Sequence, residues 1–141
     1  ILASPEKKKE IYEVVKLKNP MTGLDFVEKI NAKVLTNKRK LKTTRIYGVT
    51  FVDSLRAILE LPADEFIKIY GSTTERALIF TNVSMGRSPM VAIRVTKLKP
   101  SVVILHNVTE LDPLAIKLSE IEGVPLATTL LPMQELRNKL H

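Results

Sequence analysis

Three short apolar runs of strand length recur in the second half of the chain, and each is followed by a stretch with helical spacing. The runs are residues 77–81, 102–105 and 124–128. A continuous apolar run of this length is typical of a strand that is buried on both faces of a sheet. Strands that alternate with helices through short joints form right-handed βαβ units on a parallel sheet. The sequence therefore predicts a three-layer α/β fold, with a mostly parallel sheet and helices on both faces.

Start and stop signals mark the helices that follow these strands. Ser88-Pro89 opens a helix to about residue 99, and Asp112-Pro113 opens another that Gly123 ends. A last helix is predicted over residues 132–140. Apolar residues recur at helical spacing in all three, with those of the last helix facing inward: Val91, Val95 and Leu98; Leu114, Leu118 and Ile121; Met133, Leu136 and Leu140.

The N-terminal segment begins with a helix signal. Ser4-Pro5-Glu6 predicts the start of a helix that runs to about residue 17 and that Asn19-Pro20 ends. We therefore expect two units, a basic N-terminal helix or linker over residues 1–20 and an α/β domain over residues 21–141.

The middle of the chain has shorter patterns. Residues 22–25 resemble a capping box that opens a short helix, and short strands are predicted at 32–36 and 45–49. Residues 51–61 have helical spacing. The pattern of residues 63–74 fits a helical turn, a strand or a loop.

Positive charge is concentrated at the front of the chain. Residues 1–45 hold 12 Lys and Arg against 5 Asp and Glu, whereas the rest of the chain holds 10 of each sign. A basic region of this kind is a candidate surface for nucleic acid or another polyanion. The favoured interpretation is an ordinary solvated surface, because no array of aromatic and arginine side chains for base stacking accompanies the lysines. The candidate phosphate contacts are Lys7, Lys8, Lys9, Lys38, Arg39, Lys40 and Lys42.

Missing residue types exclude several classes of site. The chain has no cysteine and two histidines, His106 and His141, which excludes disulfides, cysteine nucleophiles and a histidine-rich metal site. Because no serine lies in a nucleophile motif, we expect a non-catalytic protein without a cofactor. No apolar run reaches the roughly 18–20 residues of a membrane-spanning helix, so we expect a cytoplasmic protein without membrane contact. The first residue is isoleucine, which predicts that the chain is a piece of a longer one.

Residues 82–88 form the first of three loops expected at the carboxyl edge of the sheet, where parallel sheets bind ligands. Arg87 can hold a phosphate or carboxylate there, together with the N–H groups at the start of the following helix. The favoured alternative is a capped loop whose arginine is solvated or pairs with a neighbouring acid, since no glycine-rich phosphate-binding motif is present. The candidate ligand contacts in this loop are Ser84, Gly86, Arg87 and Ser88.

The other two loops add four candidate ligand contacts, His106, Asn107, Thr128 and Thr129. His106 is an acid, base or ligand anchor in one interpretation, and a hydrogen-bonded histidine at a strand end in the favoured one. The two threonines either donate hydroxyls to an anion or, as favoured, cap the last helix.

Several of these segments together resemble the DRTGG domain family, which is similar in fold to the N-terminal domain of HPr kinase/phosphorylase. They are residues 23–35, the Gly86-Arg87 loop, the strand at 103–105 with the residues up to Asp112, and residues 123–129. The resemblance covers residues 22–140. It implies a regulatory or oligomerising module, commonly attached to nucleotide-sensing, transcriptional-regulator or phosphate-handling enzyme domains, without established catalysis of its own.

The chain departs from the family at the two segments of the name-giving motif. Gly86-Arg87 stands in place of Asp-Arg, so that only the arginine is shared. His106-Asn107-Val108 stands where Thr-Gly-Gly would follow the next strand.

The sequence as a whole predicts a non-catalytic regulatory domain that forms a homodimer and binds an anionic or nucleotide ligand at residues 84–88. The alternative is a nucleic-acid-associated fragment of a transcription regulator that uses the basic first third of the chain. We expect Met85, Met90 and Met133 to flank the ligand edge and to contribute to the dimer contact.

Overall fold

The computed structural model describes residues 11–61 and 63–140, which form a mixed six-stranded sheet with helices on both faces. In chain order its elements are β1 (Tyr12–Thr22), α1 (Gly23–Lys29), β2 (Lys33–Thr36), a 3-10 helix (Lys38–Lys42), β3 (Arg45–Asp53), α2 (Ser54–Glu60), a second 3-10 helix (Ala63–Tyr70), β4 (Arg76–Thr81), α3 (Arg87–Val95), β5 (Val102–His106), α4 (Pro113–Glu122), β6 (Leu126–Thr129) and α5 (Met133–Leu140).

The strands lie in the order β1-β3-β4-β5-β6-β2 across the sheet. Strands β3 to β6 are parallel to one another, and the outer strands β1 and β2 pair antiparallel with β3 and β6. Because the four parallel strands follow one another in chain order, right-handed connections place α2, α3 and α4 on the same side. We call this side, with the 3-10 helix Ala63–Tyr70, the crossover face. The opposite face holds α1, the 3-10 helix Lys38–Lys42 and α5, which confirms the predicted three-layer α/β fold.

Each face of the sheet has its own apolar core. Phe80, Met90 and Leu118 are buried in the core of the crossover face. Phe26 and Leu136 are buried in the core of the opposite face. Strands such as β4 contribute alternate residues to the two cores, which explains why they are apolar along their whole length.

The predicted N-terminal helix is wrong over residues 12–17, because these residues belong to β1. Val15 and Leu17 are buried while Lys16 and Lys18 are exposed, and this alternation is the period of a strand rather than of a helix. Pro20 lies inside the strand, where the pairing register with β3 shifts and no ladder hydrogen bond is required of it. The predicted division at residue 20 therefore falls within a strand of the sheet. Residues 4–10, the first part of the predicted helix, lie outside the described residues.

The helical pattern predicted over residues 51–61 begins too early, since β3 continues to Asp53. The carboxylate of Asp53 accepts a hydrogen bond from the N–H of Arg56 at 3.1 Å and so begins α2. Phe51 is a buried strand residue, whereas Leu55 and Leu59 lie on the exposed side of α2. Residues 63–74, whose pattern fitted a helical turn, a strand or a loop, contain the 3-10 helix Ala63–Tyr70.

In α3 the helical spacing of Val91 and Val95 marks the exposed side of the helix, because Met90 and Ile93 are the residues that face the sheet. In α4, Leu118 is buried but Ile121 is exposed.

Several capping predictions are confirmed. Thr22 begins α1 by accepting a hydrogen bond from the N–H of Asp25, and Asp112 begins α4 in the same way through Leu114. Gly123 ends α4 in the left-handed conformation. Leu140, like Leu136, faces inward from α5 as predicted.

Candidate functional site

The carboxyl ends of β4, β5 and β6 lie side by side, as predicted. Leu105 pairs with Thr128 and His106 with Thr129, so the three loops leave the sheet at one edge. Asn82 and Asn107, the residues directly after β4 and β5, both have positive φ, of 55° and 61°. Asparagine tolerates this left-handed conformation better than most residues. The conformation turns the chain sharply away from the end of each strand.

The loop after β4 borders a cavity of about 280 Å³ at this edge, between the beginnings of α2 and α3. The four predicted contacts of the loop, Ser84, Gly86, Arg87 and Ser88, all line it. Ser54 and Asp112 line it from α2 and from the start of α4. The fold therefore places four of the eight predicted ligand contacts, all from one loop, around one cavity.

Gly86 shapes the entry to α3. It is the N-cap residue, has a φ of 89°, and is buried. A Cβ at this position would lie 2.7 Å from the side chains of Leu105 and Leu111. Because glycine has no side chain, Gly86 gives the first N–H groups of α3 no side-chain cap, and it lines the cavity itself.

Arg87 forms an ion pair at the rim of this cavity. Its Nε lies 2.8 Å from Oδ2 of Asp112, and the arginine side chain is 62% exposed. Oδ1 of Asp112 accepts the hydrogen bond from the N–H of Leu114 that begins α4. The pair therefore links the starts of α3 and α4, which is the alternative that the sequence left open for Arg87. Arg87 contacts Asp112 through Nε, so an incoming anion would compete with this carboxylate for the guanidinium.

The candidate contacts of the other two loops lie outside the lining of this cavity. Nε2 of His106 lies 2.8 Å from the carbonyl oxygen of Leu131, which confirms the favoured interpretation of a hydrogen-bonded histidine at a strand end. The main-chain N–H of Asn107 donates to the carbonyl oxygen of Thr129. Thr128 is partly buried.

Thr129 has a different role from the helix cap that the sequence favoured. Its hydroxyl donates to the carbonyl oxygen of Ile30 at 2.8 Å and accepts from the N–H of Leu131. Leu131 precedes α5, which begins at Met133, so Thr129 joins β6 to α1 instead of capping α5. The residue is 2% exposed.

The basic candidates divide between two regions. Lys7, Lys8 and Lys9 lie outside the described residues. Lys38, Arg39 and Lys42 are exposed on the 3-10 helix Lys38–Lys42, whereas the Nζ of Lys40 donates to the carbonyl oxygen of Gly123 at 2.6 Å.

A larger cavity lies on the crossover face and was not predicted. It has a volume of about 610 Å³ and lies between the 3-10 helix Ala63–Tyr70 and α3, with Ile67, Tyr70, Val91, Val95 and Leu98 among its lining residues. The spacing of Val91, Val95 and Leu98 was visible in the sequence, but periodicity alone does not tell an exposed apolar side from a buried one.

Of the predicted dimer residues, Met90 is fully buried in the core of the crossover face, while Met85 is exposed and Met133 partly buried. Within the described ranges, no group of three or more acidic or histidine side chains is placed to hold a metal ion. None of the helices in those ranges is long and apolar enough to cross a membrane.

The chain is similar to two archaeal proteins, each named as an uncharacterised HTH-type transcriptional regulator. It is 47% identical over 143 residues to the one from Methanocaldococcus jannaschii, and the alignment covers all of this chain and 58% of that protein. It is 43% identical over 135 residues to the one from Archaeoglobus fulgidus, covering 94% of this chain and 57% of that protein. No family model and no solved structure matches the chain. The chain thus spans a little under three fifths of the length of the curated relatives it matches.

Proposed function

We propose that the chain is the regulatory, non-catalytic domain of an HTH-type transcriptional regulator, and that a separate part of the regulator reads the DNA. A helix-turn-helix unit consists of two successive helices joined by a short turn, the second of which enters the major groove. In the described ranges, a strand separates each α-helix from the next. This observation supports the proposal, because the relatives named for an HTH unit are longer than the chain and extend outside the α/β domain.

The ligand that we propose for this domain is a small phosphate-bearing anion, such as a nucleotide, bound in the 280 Å³ cavity. Ser84 and Ser88 offer hydroxyls, the start of α3 offers N–H groups, and Arg87 offers a charge-assisted hydrogen bond. The ligand would replace Asp112 as the partner of Arg87. This exchange would transmit binding to α3 and α4, since the ion pair connects the two helices.

Calorimetric titration with inorganic phosphate, nucleotides and sugar phosphates tests this ligand class. We expect Arg87→Ala to weaken binding about tenfold or more, because losing a hydrogen bond to a charged group costs about 1.5–3 kcal/mol. Arg94→Ala is the matched control, since Arg94 is an exposed arginine of the same helix that does not line the cavity. Absence of binding by the unmutated chain, or equal weakening by both variants, would contradict the anion site.

A second candidate function is direct contact with nucleic acid, because Lys38, Arg39 and Lys42 are exposed together on one 3-10 helix. In this case the chain by itself should bind duplex DNA at low salt. Its affinity should fall with a log-log slope of about −0.9 per neutralised phosphate, and alanine at the three positions should reduce that slope. Lys117→Ala with Lys139→Ala, at exposed lysines of α4 and α5, is the control. No DNA binding by the unmutated chain at low salt would remove this candidate and favour the regulatory domain.

A further inference from the structure

The two outer surfaces of the three-layer domain differ in polarity. On the opposite face, α1 and α5 expose polar and charged residues such as Glu28 and Glu135. On the crossover face, α2, the 3-10 helix Ala63–Tyr70 and residues 91–98 carry large apolar side chains that are between 40% and 77% exposed. We call the following six residues the apolar patch: Leu55, Leu59, Ile67, Val91, Val95 and Leu98.

The members of the apolar patch are exposed residues of the crossover face, and Leu55 lines the 280 Å³ cavity together with Ser88, which also lines the 610 Å³ cavity. Leu55 and Leu59 are four residues apart and so lie on one side of α2. Ile67, Val91, Val95 and Leu98 line the 610 Å³ cavity beside α3. Six side chains exposed to this degree present an apolar area on the order of several hundred Å², as large as the largest patches on typical monomers, which are often interaction sites.

We propose that the apolar patch is the contact surface between two copies of this chain, related by a two-fold axis. The proposal rests on the proposed function for its biological purpose, since HTH regulators bind paired half-sites as dimers. The same patch on each copy would form an isologous interface. Two such patches together would bury about 1,200 Å² or more, which is the lower bound of a specific interface.

The charges around the patch favour a second copy over a partner of one sign. Arg56 is paired with Glu60 at 3.1 Å, and Lys68 with Glu65 at 3.1 Å. At the end of the cavity near residue 98, Nζ of Lys99 lies 3.0 Å from the carboxylate of Glu122. These pairs balance their own charges within each copy, and the exposed Lys97 at the cavity adds one positive charge, so only weak like-charge repulsion opposes the approach of two copies.

Sedimentation equilibrium of the 141-residue chain across a range from about 1 µM to several hundred µM tests the interface. We expect the mass to rise with concentration from 15.9 kDa towards twice that value. Val95→Glu and Leu59→Glu should each weaken the dimer at least tenfold, because each would bury a carboxylate without a partner. Both residues are more than 70% exposed in the single chain, so circular dichroism and thermal melting of the variants should remain close to those of the unmutated chain.

Leu130→Glu is the matched control, because Leu130 is 64% exposed at the carboxyl edge and outside the patch. A chain that stays monomeric throughout the range would overturn the proposal. So would a dimer that resists both patch variants, or one that Leu130→Glu weakens equally. The outcomes can be distinguished from those of the anion titration: a dimer without anion binding leaves the interface standing and removes the ligand, and a monomer that binds phosphate does the reverse.

Discussion

The guanidinium of Arg76 fills the space in which a side chain at Gly48 would lie. Arg76 is 2% exposed and donates hydrogen bonds to the carbonyl oxygens of Tyr70 at 2.5 Å and of Val15 and Val49 at 3.0 Å. Removing the guanidinium from water lowers the pKa of Arg76. The hydrogen bonds of Arg76 therefore connect the start of β4 to β1, to β3 and to the end of the 3-10 helix Ala63–Tyr70.

Replacing Gly48 by alanine should destabilise the domain by about 1–3 kcal/mol, the usual cost of overpacking a core. The new Cβ would lie 2.5 Å from a guanidinium nitrogen of Arg76, so the arginine would have to move and lose hydrogen bonds. Denaturant unfolding measures the loss.

A double-mutant cycle checks that the clash with Arg76 is the cause. In an Arg76→Ala background, which is itself destabilised, Gly48→Ala should cost much less because the space is open. Additive effects of the two changes would contradict the assigned contact.

Tyr70 should make the domain sensitive to alkali. Burial raises the pKa of its phenol above the ordinary value of 10.0, and a hydrogen bond with Thr96 offsets part of the rise. Between pH 10 and the higher folded pKa the unfolded chain loses the proton that the folded chain keeps. The stability that Tyr70 contributes is therefore fully present below pH 10 and is lost as the pH rises through the folded pKa.

Tyr70→Phe tests this dependence. The variant should lose about 0.5–1.5 kcal/mol at neutral pH, because the hydroxyl donates to the carbonyl oxygen of Leu98 at 2.7 Å. Above pH 10 its free energy of unfolding should fall less steeply than that of the unmutated chain. Tyr47→Phe, at an exposed tyrosine, is the control. Parallel pH curves for Tyr70→Phe and the unmutated chain would contradict the assignment.

The features that the sequence predicted well depend on residues that are close together in the chain. Asp112 and Gly123 mark the ends of α4 by local capping rules. The place of residues 84–88 at the carboxyl edge follows from their position after a buried strand, because that edge of a parallel sheet gathers such loops, whereas ligand binding there stays a prediction.

The features that it missed depend on partners far along the chain. β1 has a strand conformation because it pairs with β3, about 30 residues later, and the local helix signal before it does not reveal that pairing. Val91 and Val95 have the same spacing whether they face the sheet or the solvent. The position of Arg76 beneath Gly48 requires the finished sheet, so a single arginine before an apolar run gave no signal of it.

Thr129→Val should destabilise the domain without changing anion binding. The Thr129 hydroxyl is buried and donates to the carbonyl oxygen of Ile30, so a valine of similar shape leaves that acceptor unpaired at a cost of about 1–3 kcal/mol. Thr128→Val is the matched control on the neighbouring, partly buried residue. Thermal melting measures the first effect and phosphate titration the second. If Thr129→Val weakened phosphate binding while melting stayed unchanged, Thr129 would be a ligand contact after all.

Asp112→Asn gives the sharpest test of the proposed anion site, because Asp112 has two separable roles. Its Oδ1 begins α4 through the N–H of Leu114 at 2.9 Å, and its Oδ2 holds Arg87 at 2.8 Å. Asparagine caps a helix about as well as aspartate, so α4 should remain intact. The substitution removes the charge with which an incoming anion would compete. Releasing a partly exposed ion pair, worth about 0.2–1 kcal/mol, should tighten binding of phosphate or a nucleotide by up to about fivefold.

Calorimetry of Asp112→Asn beside Glu110→Gln separates this local effect from a general change of charge. Glu110 is an exposed acid two residues away that does not line the cavity, and its neutralisation changes the net charge by the same amount. We expect a gain in affinity for Asp112→Asn alone, and we expect the double variant Arg87→Ala with Asp112→Asn to lose that gain. Equal gains from both acid variants would show that the gain in affinity comes from long-range electrostatic attraction of the anion and not from the loss of the ion pair with Arg87. An unchanged affinity in Asp112→Asn would show that the anion does not take the place of this carboxylate at Arg87.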